Sequence, residues 1–248
     1  MRYALLWPFQ VQIAGDVSAG RPARLIVRTE PGDKSRPARV KLAIDSFVEL
    51  AAHGGLGGNA LLPIESNAQV LRYEPPSIDG DPSVWEFSSL AVDPRSMGIL
   101  LNALEAVAAK VQFVELRSRG HQRALVPKMN DYPPMTPAVP FKLDSRLVDR
   151  NVTVEVAFRS PLEEAAHKQL VEAIESWTTV GLLGGFRIGE LPPLESVVPP
   201  MIQPTLILDA LTFSLEKVTA HDAAYSSLVN VLVQFGETIA PIEEVTMS

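Results

Sequence analysis

The sequence contains no cysteine, which excludes disulfide bonds, thiolate metal sites and cysteine nucleophiles. It also has no long apolar run, because the most apolar stretch, residues 98–114, is interrupted by Glu105 and Lys110. The first residues lack the apolar core of a secretory signal peptide. We therefore expect a cytoplasmic protein that has no membrane-spanning segment.

Familiar motifs of catalysis and cofactor binding are missing as well. The sequence has no H-E-x-x-H, no G-x-S-x-G and no P-loop, and no two of its 4 histidines have the spacing of metal ligands. Residues 55–60 match G-x-G-x-x-A, but this fingerprint indicates a dinucleotide site only where it follows a strand and opens a helix. Here it follows a predicted helix. We expect no catalytic residues, no metal and no cofactor.

Positive charge is scarce in one part of the chain. Residues 1–150 contain 18 Lys/Arg and 16 Asp/Glu, a balance of +2, whereas residues 151–248 contain 4 and 13, a balance of −9, which together give the net charge of −7. An acidic chain disfavours nucleic acid as a partner, although the basic N-terminal half leaves that partner possible. Opposite charge in the two halves favours a protein partner or a further copy of the chain.

What the sequence does contain is an internal repeat. Shifted by 130 positions, residues 43–66 align with residues 173–196 without a gap, and 9 of the 24 positions are identical. The pair Gly54-Gly55 coincides with Gly184-Gly185. Weaker matches follow in the same order towards the end of each copy. The sequence therefore predicts a duplicated unit.

Both copies show the same order of predicted elements. In the second copy, residues 152–158 alternate like a strand, a helix follows, residues 186–191 and 205–218 resemble strands, and a second helix precedes a strand at 238–246. The first copy repeats this order after an additional strand within residues 3–13. The order β-α-β-β-α-β is ferredoxin-like. We predict an α+β fold in which two ferredoxin-like repeats form a pseudo-dimer.

The predicted boundaries follow from the repeat and from proline content. The N-terminal repeat with its extra strand covers residues 1–119, and the C-terminal repeat covers residues 151–248. Residues 120–150 contain five prolines and are expected to form an extended linker. Phe47 and Trp177 occupy equivalent positions on apolar helix faces, so we expect both to be core anchors. Ser160-Pro161-Leu162-Glu163 has the form of a capping box that starts the second of these helices.

One group of side chains on the first predicted helix has the spacing of a site. Asp45, Glu49 and His53 are four residues apart and share a helix face. They form either a ligand or acid–base cluster, or a solvated face on which neighbouring charges pair. We favour the second interpretation, because the repeat places Thr179 and Leu183 at the positions of Glu49 and His53.

The candidate binding residues are therefore glycines and arginines. Glycine at a helix end supplies a left-handed residue that stops the helix. It also leaves backbone that a ligand or another chain can approach closely. Both interpretations apply here, and the nearby arginines add positive charge to the second. The candidate ligand- or partner-binding residues are Gly54, Gly55, Gly57, Gly58, Gly184, Gly185, Arg36 and Arg39.

The strand, the helix and the segment Gly54-Gly55-Leu56-Gly57-Gly58 resemble the glycine-rich region of RAMP proteins of CRISPR systems, over about 60 N-terminal residues. The resemblance implies ferredoxin-like domains that bind guide or precursor RNA inside a multi-subunit particle. Asn59 and the apolar residues after it depart from the basic residues and glycines that usually follow in that family.

Three functions remain possible, and we rank them as follows. The first is a non-catalytic binding or scaffold protein that belongs to a homo- or hetero-oligomeric assembly. The second is a RAMP-like RNA-binding subunit that uses the basic N-terminal half. The third is a small-molecule enzyme whose site lies in a cleft between the repeats, since a fold does not fix a function.

Overall fold

A computed structural model describes residues 7–29, 36–57, 73–74, 83–107, 111–120, 139–146, 152–186, 205–207, 210–215 and 224–248. These residues form two mixed β-sheets and four α-helices, which confirms the predicted α+β class. None of the described helices is long and apolar enough to cross a bilayer.

The first sheet is formed by residues before 120. Its strands are β1 (Gln10–Ala14), β2 (Arg21–Thr29), β3 (Tyr73–Glu74), β4 (Ser83–Leu90) and β5 (Val111–Ser118). They are arranged in the order β1-β5-β2-β4-β3. β1 runs parallel to β5, and the other pairs are antiparallel. Its helices are α1 (Arg36–Ala52) and α2 (Met97–Val107), the latter after a 3₁₀ turn at Pro94–Ser96.

The second sheet has the same arrangement. It contains β6 (Lys142–Ser145), β7 (Val152–Phe158), β8 (Thr205–Ile207), β9 (Ala210–Leu215) and β10 (Ile242–Met247). Their order is β6-β10-β7-β9-β8, and β6 is the strand that runs parallel to its neighbour. Its helices are α3 (Glu164–Leu182) and α4 (Ala224–Thr238).

Each sheet has one buried and one exposed face. In β7 the buried residues Val152, Val154 and Val156 alternate with the exposed Thr153 and Glu155, because successive side chains of a strand point to opposite faces. The ring of Phe158 in β7 lies 6.2 Å from that of Phe235 in α4, so helix packs on the inner face of this sheet.

The helices of the two halves also pack on one another. α1 contacts α3 across the two halves. In α2, every residue from Met97 to Leu104 is buried, and in α4 the same holds from Ser227 to Val233. A helix that is buried all round lies in the interior. Helices therefore separate the sheets, and the two exposed sheet faces point away from each other.

The structure corrects three details of the predicted elements. α3 begins at Glu164, and Glu163 precedes it without a side-chain cap, so the predicted capping box is wrong. The single strand expected over residues 205–218 is two antiparallel strands, β8 and β9. Residues 142–145, which we expected in the linker, form β6 and join the second sheet. The strand expected at 186–191 lies, apart from residue 186, outside the described residues.

Candidate functional site

The candidate glycines close two equivalent helix ends. The N–H of Gly54 donates to Ala51 O at 2.9 Å and that of Gly55 to Leu50 O at 2.9 Å. Gly184 and Gly185 make the same two bonds to residues 181 and 180, both at 2.9 Å. This pair of bonds is the Schellman motif, which requires a left-handed residue. φ is 80° at Gly54 and 78° at Gly184, so the predicted equivalence of the two turns is confirmed.

Each glycine turn lies against the second helix of the other half. A Cβ on Gly54 would be 2.7 Å from Cβ of Gln234 in α4, and one on Gly184 would be 3.0 Å from Cβ of Ala106 in α2. A Cβ on Gly185 would be 3.0 Å from Cγ2 of Ile99, also in α2. Real Cβ atoms essentially never approach closer than 3.0 Å, so the contact at Gly54 requires glycine. The two distances of 3.0 Å are tighter than nine in ten real Cβ contacts, so a side chain there would need its neighbour to shift. The chain that approaches the turns is the protein itself.

Hydrogen bonds fix both contacts. The hydroxyl of Ser227 in α4 donates to Gly55 O at 2.6 Å. The amide of Asn102 in α2 donates to Gly185 O at 3.0 Å, and its oxygen accepts from Nε1 of Trp7 at 2.9 Å. Asn102 and Ser227 are both buried, at 1% and 0% exposure. The described junction between the halves is thus filled by packed helices and turns.

The cost of placing a side chain at the turn glycine Gly184 can be compared with the effect of the same substitution at Gly181, which lies in the preceding helix. We expect Gly184→Ala to lower the free energy of unfolding by about 1–2 kcal/mol, since an L-residue is unfavourable at this φ. Gly181→Ala should instead raise it by about 0.5–1 kcal/mol, because alanine favours a helix and its Cβ meets nothing closer than 3.6 Å. Urea unfolding of both variants measures the difference. Equal effects would contradict the assignment of the turn.

The remaining candidates do not join these glycines in one place. Gly57 follows the first turn with φ of 89°, and Gly58 lies outside the described residues. Arg36 begins α1 and Arg39 is exposed in its first turns. With a rise of about 1.5 Å per residue, Arg36 and Gly54 are roughly 25 Å apart along the helix. The structure therefore does not bring the arginines and the glycines into a common site.

In the Asp45, Glu49 and His53 group on α1, Asp45 and His53 are half-buried. Asp45 accepts from Nζ of Lys41 at 2.5 Å, and Glu49 is exposed. Burial lowers the pKa of His53, and Glu172 and Glu49 oppose this shift. No group of three or more acidic or histidine side chains in the described part of the chain can hold a metal ion.

The exposed face of the first sheet is a feature that the motif search missed. β2 and β5 are antiparallel neighbours, and directly opposed residues point to the same face. Arg24 faces Arg117, and Arg28 faces Phe113. The guanidinium carbon of Arg28 lies 5.7 Å from the centre of the Phe113 ring, which is a cation–π contact. Arginine at alternate outward positions of β2 was the signal in the sequence.

Two glutamates on this face balance part of its charge. Arg24 forms an ion pair with Glu86 on β4, and Arg117 forms one with Glu115. Both arginines remain exposed, with 57% and 64% of the side-chain area accessible, whereas Glu115 is only 6% accessible. Like charges directly opposed across two strands are unfavourable. We call this exposed surface of β2, β4 and β5 the arginine face.

The exposed face of the second sheet has the opposite character. Glu155 of β7 lies beside Thr212 of β9, and Glu244 of β10 lies beside Lys142 of β6. The Lys142 ammonium and the Glu244 carboxylate are 2.5 Å apart. Asp144 forms an ion pair with Arg146, just after β6, at 3.1 Å. This surface therefore carries three carboxylates, one lysine and one arginine among small polar residues. We call it the acidic face. The arginine face therefore has a small excess of positive charge and the acidic face a small excess of negative charge.

Comparisons with known proteins add no further assignment. No family model matches the chain, and neither the curated proteins nor the solved structures contain a match.

Proposed function

We propose that the chain is a duplicated pair of ferredoxin-like units that serves as a non-catalytic binding subunit of an assembly. The shared strand order supports the duplication. Apart from β1 and β6, the strands lie side by side in the order β5-β2-β4-β3 in the first sheet and β10-β7-β9-β8 in the second. In both sheets this places the last strand of the repeat beside the first, followed by the third and the second. The equivalent glycine turns support it as well. In this proposal the glycines hold the halves together, and the sheets face the partners.

The observation that carries the binding function is the pair of opposed charges on the two faces. The arginine face presents three arginines and two glutamates, and Phe113 adds apolar surface. The acidic face offers a complementary surface on another copy. Because the faces point in opposite directions, such a contact is heterologous and continues into a ring or a filament. Charge would steer the docking, while apolar burial supplies most of the affinity.

Sedimentation velocity at low and physiological salt tests this contact. We expect association at low salt that weakens as salt rises, and a further loss of at least tenfold in affinity for the Arg24→Ala/Arg28→Ala variant. Arg159→Ala/Lys168→Ala removes the same charge from exposed positions elsewhere and should have a smaller effect. A wild-type chain that is monomeric at micromolar concentration in both salts would rule out this self-association.

RNA is the second candidate partner for the arginine face. The stacked Arg28 and Phe113 are the specific observation in its favour, because bases stack on aromatic rings and guanidinium planes and arginines contact phosphates. RAMP-like binding of this kind would weaken with salt. Fluorescence anisotropy with a single-stranded RNA decides it. A Phe113→Ala variant that binds as tightly as the wild type would count against stacking.

A further inference from the structure

Each sheet ends in two edge strands, and these differ in how they resist the addition of another strand. An edge strand presents unpaired backbone groups, and proteins protect it by keeping it short or by placing charges on it. β6 carries Lys142 and Asp144. β1, with the sequence QVQIA, has 5 residues and neither charge nor proline.

β1 and β6 occupy the same place in their sheets, which makes the comparison direct. Gln12 of β1 lies beside Glu115 of β5, and Lys142 of β6 lies beside Glu244 of β10. The lysine forms an ion pair that would lose water if another strand were added, whereas the glutamine is uncharged and exposed. Of the two equivalent edge strands, β1 is therefore the longer one and the one that carries no charge.

The position of β1 is firmly set. All five residues pair with β5, and Ile13 is buried in the core. The chain then turns at Gly15, whose φ is 84°, and a Cβ there would lie 2.1 Å from the carbonyl oxygen of Ser118 at the end of β5. The Asp16 carboxylate accepts from the backbone and the hydroxyl of Ser18. The backbone of β1 is therefore held in a fixed position in which another strand can pair with it.

We propose that β1 is an interface at which a second copy of the chain adds its own β1, antiparallel and about a two-fold axis. The two five-stranded sheets would then form one continuous sheet. A second copy fits because two uncharged strands meet no like charge, and the glutamine amides of Gln10 and Gln12 can hydrogen-bond across the new pair. Val11, half-buried at the edge of the core, would lose its remaining exposure.

This contact is independent of the arginine face, and salt separates the two. Backbone pairing between uncharged strands is indifferent to ionic strength, whereas charge-steered docking is screened at about 1 M salt, where the Debye length is about 3 Å. The face contact also involves two different surfaces, while the edge contact is isologous and closes as a dimer. A chain that uses both would form a dimer at high salt and larger species at low salt.

The test is sedimentation velocity of the full chain at about 1 M salt, with Gln10→Lys/Gln12→Lys as the variant. Lysine is a common guard of edge strands, and here it copies what β6 carries at position 142. We expect the wild type to be dimeric at micromolar concentration and the variant to dissociate at least tenfold more readily. Ser160→Lys/Gln169→Lys, which adds the same charge at exposed positions away from β1, should dimerise like the wild type.

The edge contact through β1 and the contact between the arginine face and the acidic face give different results in this experiment. A wild type that is monomeric at high salt, or a β1 variant that dimerises as well as the wild type, overturns the edge contact. A high-salt dimer that only the β1 variant loses supports it, even if the arginine variant behaves normally and the face contact fails. Circular dichroism and thermal unfolding establish that the variant is folded, and reduced protection of β1 amides in the variant monomer gives a second readout.

Discussion

Truncation of Phe47 or Trp177 to alanine is expected to lower the free energy of unfolding by about 3–5 kcal/mol, as for large aromatic side chains removed from a core. Both side chains are buried, with 2% and 4% exposure, which confirms that they are core residues. Trp177 stacks on Phe186 at 5.5 Å and contacts Tyr225 at 5.9 Å between ring centres. Urea unfolding monitored by far-ultraviolet circular dichroism measures the loss.

Leu42 provides the control for this prediction. It lies on α1 near Phe47 but is 48% exposed, so Leu42→Ala should change stability by less than about 1 kcal/mol. If Phe47→Ala costs no more than Leu42→Ala, the inner and outer faces of α1 have been assigned wrongly. Trp177→Ala also removes a hydrogen bond, because Nε1 of Trp177 donates to Ala224 O at 3.3 Å. The loss of this bond adds to the loss of stability from burial.

Replacement of Asn102 by alanine is expected to cost about 3 kcal/mol, because it removes one bond partner each from two buried polar groups. Nε1 of Trp7 loses its acceptor and Gly185 O loses its donor. The lost bonds tie α2 both to the segment before β1 and to the turn after α3 in the other half. Asn102 therefore stabilises the junction of the two halves as well as the first half itself.

A double-mutant cycle with Trp7→Phe separates the two bonds of Asn102. Trp7→Phe removes one donor and keeps most of the ring, so the coupling between the two positions measures the Trp7–Asn102 bond. We expect a coupling of about 1 kcal/mol, with a larger remainder in Asn102→Ala that includes the bond to Gly185 O in the second half. Additive effects would mean that the Trp7 bond contributes nothing to stability.

The parts of this structure that could be predicted from the sequence are those fixed by local patterns. Gly54 and Gly184 stop their helices with the same backbone geometry because the residues that precede them have the same helical pattern. The alternation of apolar residues in β7 sets which face is buried. Phe47 and Trp177 are buried because their helices share the apolar spacing of the repeat.

The other features of the fold and the site depend on contacts between residues that are far apart in the sequence. The sequence identified the glycine pairs as places of close approach, but it could not show that Gln234 and Ala106 are what approaches them. β6 was missed because Lys142 and Asp144 hide its alternation and prolines surround it. The arginine face combines residues about 90 positions apart, such as Arg24 and Arg117, which only the pairing of β2 with β5 brings together.

The electrostatic interaction of His53 with Glu172 has a consequence for how such a molecule can change. The positions related to these residues by the repeat are Leu183 and Leu42, so one polar pair exists where a symmetric dimer of separate chains would have two. In such a dimer every substitution appears twice across the axis. In a chain that joins two copies, as proposed here, each side of the axis can accept its own substitutions. Under the proposed duplication, the different charges of the arginine face and the acidic face would follow the same logic.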